Sequence, residues 1–488
     1  MKHLLFTALL ACVTLTVSAQ ANLDYRFRLD SAALHVTLNY TPVEPDSTLF
    51  VYGDLGFGGQ TDIFNGIKNL RVSAPGTIKV DTLEGSGAIH VYYPGNTPIT
   101  ISYDVTDTHT PEQKVRGEMF RPLIQKDYFY AHEVSIFLIP MFRETDKNNV
   151  TQSLQWEKPL PYPIYFTLDP ENRGDKIYTG IYKDFQSTLF TGAANLTIDQ
   201  VNLGNIKNFI VLRIDDSTAY NRPAMKEYFE EYVTALHRFW NNYDGEYYSL
   251  VVQPFLDIDY HNSSGIAFHD GFIMKHNNDT ILTDYGRIAT LSHEISHHFT
   301  GHLVSLGPNE QWFDEGFTDY TTYYLLTAIG MFPPEQYTHE INRILRSLHT
   351  SELRNTPNDD IRKNFWKLGD YAWLPYWRGT QFALWLDNKI VTSSDGKYSI
   401  RDLLRACLDA ARNKNWEHLT REDFIKAVSK FLPEKEMREA IERYIVNGEL
   451  IEFSQKDFPS DIKLTYDDSI PVIEITDQKR FKERIAFE

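Results

Sequence analysis

Two histidines four residues apart, with a glutamate beside the first, constrain this chain more than any other feature. On a helix, His293-Glu294-Ile295-Ser296-His297 turns both imidazoles to one face, within reach of one metal ion. Glu294 then lies off the ligand line, placed to take a proton from water at that metal. A catalytic zinc site takes three protein ligands and keeps one position open. Eighteen positions past His297, the stretch Trp312-Phe313-Asp314-Glu315-Gly316-Phe317-Thr318-Asp319-Tyr320 begins a second helix, and Glu315 there completes a His-His-Glu set. Asp319, one helical turn beyond Glu315, can hold the free ring nitrogen of a ligand histidine; its plainer alternative is a helix-face charge. The nearby histidines are poorer ligands, His298 reading as a helix-surface or core residue. His302 is nine positions past His293, near the opposite face of a straight helix.

At 488 residues the chain has room for more than one domain and a sizeable core. From Ala21 to about Trp156 the hydrophobic pattern has period two, as in 33–40 and 89–93, broken by turn residues around Gly53–Gly59 and Pro94–Asn96. This predicts an antiparallel β domain, a sandwich. The stiff run Lys158-Pro159-Leu160-Pro161-Tyr162-Pro163 marks a boundary. Beyond it a helix over 222–242 and a strand over 248–255 are expected, and after Leu282 helices dominate, at 284–301, 314–328, 335–350, 375–391, 400–413, 421–430 and 434–446. Pro471–Ile475 reads as a late strand. The expected fold class is α+β, with domains at 20–160 (β) and 161–450 (mixed, mostly helical after the metal helix), then a β-containing tail at 451–488.

The net charge of −18 argues against a nucleic-acid partner. Residues 1–19 read as a removable export signal, with Lys2 and His3 before the apolar run Leu4–Val17 and small residues ahead of Gln20. Lipid attachment at Cys12 is the minor alternative, since Leu9-Leu10-Ala11-Cys12 is a rough lipobox. Cleavage leaves Cys407 as the one cysteine, so no internal disulfide is expected. No later run is apolar for long enough to span a membrane.

The motif flanks resemble the gluzincin metallopeptidases, particularly the aminopeptidase-N and leukotriene-A4-hydrolase group. His293 to Ser305 looks like that group's zinc helix running into "GNLV", and Trp312–Tyr320 like its "W-L-N-E-G-F" helix. Glu315 falls one residue earlier than the usual spacing, which a shortened loop around Gly307-Pro308-Asn309 accounts for. Pro375-Tyr376-Trp377-Arg378-Gly379, sixty-one residues from Glu315 to Tyr376, resembles the group's "P-Y-E-K-G" segment. The resemblance implies a thermolysin-like catalytic domain and one Zn2+ held by His293, His297 and Glu315. It implies Glu294 as general base and Tyr376 as hydrogen-bond donor to the oxyanion. Tyr376 also has a plainer reading as a packed aromatic among Trp373, Trp377 and Trp385, and Tyr371 is the nearest rival for its role.

Two departures stand out. The group's G-x-M-E-N loop, whose Glu binds the substrate's free α-amine, corresponds here to Ser264–Gly271, with Phe268 or His269 in the place of that Glu. Gly265, His269 and Asp270 are the substrate-binding candidates, Asp270 as a substitute carboxylate; ordinary loop polarity is the competing reading of the last two. The chain also lacks length for the group's helical C-terminal domain, and Glu442–Glu449 resembles instead the end of the glycyl-aminopeptidase family. The expectation is therefore an exported zinc metallopeptidase (periplasmic, cell-surface or secreted) acting on peptides or proteins, aminopeptidase-like. The alternatives are an endopeptidase, an exopeptidase with altered N-terminus recognition, and a catalytically weak surface-binding protein that retains zinc.

Overall fold

Strict alternation in Ala33–Thr41 puts Leu34, Val36, Leu38 and Tyr40 in the core and leaves His35, Thr37 and Asn39 partly exposed. The computed structural model describes residues 21–486 apart from 31, 53–61, 84–85, 112–120, 143–149, 172–175, 182–187, 214–220, 244–246, 255–263, 269, 277–281 and 368. The expected signal segment and Cys12 lie outside the described residues. The chain divides into two compact units, the first comprising residues up to Thr108 together with Phe120–Pro161 and Glu171–Phe185.

In this first unit a six-stranded sheet runs in the order Lys176–Ile181, Val150–Trp156, Ala21–Leu29, Ala33–Thr41, Ile99–Thr106, Ile67–Val72. A four-stranded sheet has the order Ile139–Pro140, Ser47–Tyr52, Ser86–Tyr92, Thr77–Leu83. Aromatic rings fill the space between them: Tyr40 meets Phe50 edge-on at 5.2 Å and Tyr103 meets Tyr52 at 6.5 Å. Buried tyrosine hydroxyls need acceptors. Tyr25, Tyr52 and Tyr103 find them in the carbonyls of Leu138, Ser135 and Ile136, at 2.8, 2.6 and 2.8 Å. The pairing departs from expectation at one place, since Ala21–Leu29 runs parallel to Val150–Trp156.

On the outer face of this sheet His35 lies between two carboxylates, 2.5 Å from Asp104 and 2.6 Å from Asp30. Burial works against the charged ring, but the two carboxylates outweigh it and raise its pKa above the usual 6.5. In turn, the hydrogen bond from His35 draws Asp30 down to about 2.

The second unit holds His109–Met119, Tyr162–Pro170 and Gln186–Glu488. Its sheet is built from β1 (Leu196–Leu203), β2 (Ile206–Arg213), β3 (Ser249–Gln253), β4 (Ser264–Phe268) and β5 (Gly271–Lys275), in the order β1-β2-β3-β5-β4. The central pairs β2–β3 and β3–β5 are parallel, the outer pairs antiparallel, so β4 forms an edge. Helix α1 (Arg222–Trp240) makes the β2–β3 crossover, opened by an Asn221 cap on the Ala224 amide and closed by Asn241 at φ 49°. After β5 come α2 (Tyr285–Ser296), α3 (Gly316–Ala328), α4 (Pro334–Thr350), α5 (Asp370–Ser393) and α6 (Ile400–Asn413). The architecture is a β-rich N-terminal region followed by a helical C-terminal one, as expected. Among the described residues no helix is long and apolar enough to cross a membrane.

The tail carries more structure than its one expected strand. Ile462–Asp467 and Ile470–Ile475 form a hairpin, and α7 (Gln478–Ile485) follows. Asn342 of α4 clamps the hairpin, donating to the Ile473 carbonyl and accepting from its amide, both at 2.9 Å. Arg484 of α7 makes two bonds, 3.1 and 2.8 Å, to one oxygen of fully buried Asp461.

Two stability experiments follow from these ion pairs. Raised above its unfolded value, the His35 pKa gives stability that is complete below pH 6.5 and lost as pH rises through the folded value. The urea midpoint of the native chain should therefore fall toward that of His35→Asn above neutrality, and parallel pH profiles would contradict the assignment. Asp461→Asn strands the Arg484 charge and should cost on the order of 3–5 kcal/mol in urea unfolding. A loss below about 1 kcal/mol, the range of surface pairs, would show that the pair does not anchor the tail.

Candidate metal centre

The back of α2 is braced before its front can present anything. Tyr228 and Tyr232 of α1 meet Ser292 and Ser296 of α2, each hydroxyl pair at 2.7 Å, so two i,i+4 pairs lock one helix on the other. Tyr248 donates to the Glu294 carbonyl at 2.9 Å. The next face round, about 100° away, carries His293 and His297, with Glu294 further round.

The helix ends at Ser296, five residues short of the expected 301. His297 is the capping residue, still in helical geometry at φ −60° and ψ −17°, so its side chain stays in line with His293. The chain then tightens into a turn at Gly301 (φ 97°), whose amide donates to the Val304 carbonyl at 2.8 Å. Because the helix has already stopped, His302 is not carried to the far face and instead lines a cavity beside the histidines.

The third donor comes from the crossing of α3 and α5. A Cβ on Gly316 would lie 2.3 Å from the Gly379 Cα, and one on Gly379 would lie 1.8 Å from the Trp312 carbonyl oxygen. Only glycines allow that approach, and Thr380 adds a hydroxyl bond to the Gly316 carbonyl at 3.1 Å. This contact sets Glu315, one residue before Gly316, and Tyr376, one turn before Gly379, at the same place. Helix α5 starts at Asp370, five residues ahead of expectation, with Pro375 inside it.

Glu315 Oε2 is 3.3 Å from Nε2 of His293 and 3.3 Å from Nε2 of His297. These separations are long for hydrogen bonds, but ligands about 2.0–2.2 Å from a tetrahedral zinc ion are separated by roughly that distance. All three donor atoms lie within 4.8 Å of one another. Both imidazoles are oriented from behind: Nδ1 of His293 faces Asp319 Oδ1 at 2.8 Å, and Nδ1 of His297 faces the Thr300 carbonyl at 2.9 Å. With acceptors at both Nδ1 atoms, the protons sit there and the Nε2 lone pairs point toward Glu315. Two neutral imidazoles and one carboxylate in this spacing suit a zinc ion.

The groups of the site bias one another's charge. Burial opposes ionisation of Glu315, yet the two imidazoles outweigh it and hold the carboxyl well below its ordinary range. Burial also disfavours charge on His293 and His297, and there the carboxylates of Asp319 and Glu315 win, raising both. Glu294 is pushed up, chiefly by burial. Tyr376 packs its ring along His293, 5.8 Å between centroids. Burial and the surrounding carboxylates raise it, so it stays a protonated donor.

Cavities open on both sides of Glu294. One, of about 500 Å³, is bounded by Thr290, Tyr323, Arg343, Trp373 and Tyr376. The other, of about 430 Å³, is bounded by Ala267 and Phe268 of β4, Gly271, His302 and Asp314. Of the candidates for substrate binding, Gly265 lies on the edge strand and Asp270 at the β4–β5 turn, where its carbonyl accepts from Ser249 at 2.8 Å; neither is among the residues lining these cavities. His269 lies outside the described residues. Sequence reasoning passed over Asp314, Trp373 and Arg343 as wall residues. Asp314 adjoins a proposed ligand, the one signal that could have singled it out.

Asp319→Asn keeps the shape but weakens the hold on Nδ1 of His293, and zinc affinity should fall about 10–100-fold in competition against a chelator. Unchanged affinity would reduce Asp319 to a helix-face charge.

No protein-family model matches the sequence, and no curated protein does. Solved structures do. An aminopeptidase N family protein from Idiomarina loihiensis aligns with a TM-score of 0.71 at 14% identity, over 89% of this chain and 77% of that one. An M1 zinc metallopeptidase from Deinococcus radiodurans aligns at 0.50 and 14% identity, over 89% of this chain and 96% of its own. Leukotriene A4 hydrolase from Saccharomyces cerevisiae aligns at 0.50 and 15% identity, over 89% and 68%. Across 89% of its length, the chain has the fold of the M1 zinc metallopeptidases.

Proposed function

We propose that this chain is a zinc-dependent metallopeptidase that cleaves peptides, aminopeptidase-like in its choice of bond. One observation carries the reading. Two Nε2 atoms, each 3.3 Å from one Glu315 oxygen, stand beside an acid–base carboxylate and a protonated tyrosine. Zinc bound by His293, His297 and Glu315 would supply Lewis acidity, polarising a carbonyl and acidifying water. Glu294 takes the proton of the attacking water and returns it to the leaving amine. Tyr376 donates a hydrogen bond to the oxygen that gains charge. Among the described residues β4 pairs on one side only, with β5, and its other edge offers main-chain groups along which an extended peptide can align. Export fits the same reading, supported by the apolar run Leu4–Val17.

A second reading, endopeptidase action, draws on the two cavities flanking Glu294, which give room on both sides of a scissile bond. Cleavage of peptides with free and with acetylated N-termini separates the two. A surface-binding protein that keeps zinc only for stability would need neither Glu294 nor Tyr376 at this position.

Glu294→Gln should retain zinc and lose at least about 100-fold in turnover. Tyr376→Phe should retain zinc and lose about 10²–10³ in kcat. Turnover equal to that of the native chain in either variant would remove that residue from the mechanism. Absence of turnover in the native, zinc-loaded protein on a mixed peptide library would favour the binding role.

A further inference from the structure

We propose that the loop 351–357 splints helix α5 across its internal proline, and that Arg378 is the positioning residue through which this splint sets Tyr376. Its place in catalysis rests on the peptidase reading, in which Tyr376 donates to the oxygen that gains charge. Pro375 stands inside α5, immediately before Tyr376. A proline there has no N–H for the Tyr371 carbonyl, and its ring crowds that carbonyl. The helix is therefore weakest in the turn that delivers the donor.

Asp370, Leu374 and Arg378 recur every four residues and share one face of α5, with Tyr376 well round from it. On that face the loop is tied on both sides of the proline. Ahead of it, Ser351 Oγ donates to Oδ2 of Asp370 at 2.5 Å and accepts from the Leu353 amide at 3.1 Å. Beyond it, Nη2 of Arg378 donates to the carbonyls of Arg354 and Thr356, at 3.1 and 2.7 Å. Between the ties, Leu374 is buried with Leu348 and Ile361, and Leu353 and Trp377 pack against them. Arg378 is 4% exposed, and burial, with no carboxylate to oppose it, lowers its pKa to about 10. A buried guanidinium without a counter-ion is costly, and apolar packing would serve simple cohesion better. What the guanidinium adds is direction: two bonds from one nitrogen to carbonyls two residues apart fix the register of the loop along the helix. Gly448, at φ 73°, closes over the tie. A Cβ there would lie 2.6 Å from the Thr356 carbonyl oxygen and 2.8 Å from Nη2 of Arg378.

A double-mutant cycle on the zinc-loaded full chain tests this, with calorimetric binding of the phosphinic isostere of Ala-Ala as readout. The tetrahedral phosphinate oxygen takes the place of the oxygen that Tyr376 meets. Tyr376→Phe and Arg378→Met should each weaken the probe, the latter by about 10–100-fold, with zinc stoichiometry unchanged. In the Tyr376→Phe background, Arg378→Met should weaken it no further. Full multiplication of the two losses overturns the proposal, because Arg378 would then act through the scaffold at large. So does native affinity in Arg378→Met. Should that variant not fold, Gly448→Ala presses the tie from its far side and keeps the guanidinium; the same non-additivity is expected, and multiplied losses or native affinity overturn the idea. A crystal structure of the variant needs no ligand and no activity. Displacement of the Tyr376 ring from its 5.8 Å centroid separation to His293 by about 1 Å or more, with zinc bound, supports the splint. A ring left in place sinks it. Absent turnover in the native protein would count against the peptidase reading alone.

Discussion

The contact between Gly316 and Gly379 is the constraint on which the site depends. Helices with side chains at their crossing are held about 8–10 Å apart. Here two backbones touch, and the residues next to that touch are Glu315 and Tyr376. Everything the centre can do requires those two to be within reach of the histidines. Any side chain at either glycine would wedge α3 from α5 and separate a metal donor from a proton donor. Packing thus does here what no hydrogen bond could do alone, fixing the distance between groups that come from segments sixty residues apart.

Around that crossing, each functional atom is held by something else. The Tyr228–Ser292 and Tyr232–Ser296 bonds fix the rotation of α2, Asp319 and the Thr300 carbonyl fix the two ring planes, and the crossing fixes Glu315. Such redundancy is what a preorganised site needs, since each donor reaches its position before any ligand arrives. It also keeps the centre's carboxylates unequal. Imidazoles keep Glu315 ionised, whereas burial without an equal partner pushes Glu294 and Asp314 up, the latter to about 7.

Much of this was legible in the sequence, for physical reasons that differ by element. Period-two runs such as Ala33–Thr41 declare a half-buried strand whatever their partner. The partner is another matter: nothing local says that Ala21–Leu29 pairs parallel with a strand over a hundred residues later. The expected helix over 284–301 overruns the real end at Ser296, because Phe299 keeps a helical spacing from Ile295 while the turn at Gly301 comes only later. Pro375 looks like a first-turn residue, and α5 instead carries it in its interior. Helix α7 leaves little trace in the sequence because Phe481 and Ile485, four apart, are its only buried residues, too few to register as a pattern. The motif His293–His297 fixed which residues share a face, but not which way Asp314 turns, because adjacency in sequence says nothing about a side chain's neighbours across a loop.

The early end of α2 has a consequence for the backbone itself. Peptide dipoles along a helix sum to about half a negative charge at its C-terminus, and both histidines stand on that final turn. Main-chain carbonyl polarity therefore adds to the imidazoles and the carboxylate in favouring positive charge there. Were the helix to run on through 301, that partial charge would move a turn away and the cation's neighbourhood would be poorer for it.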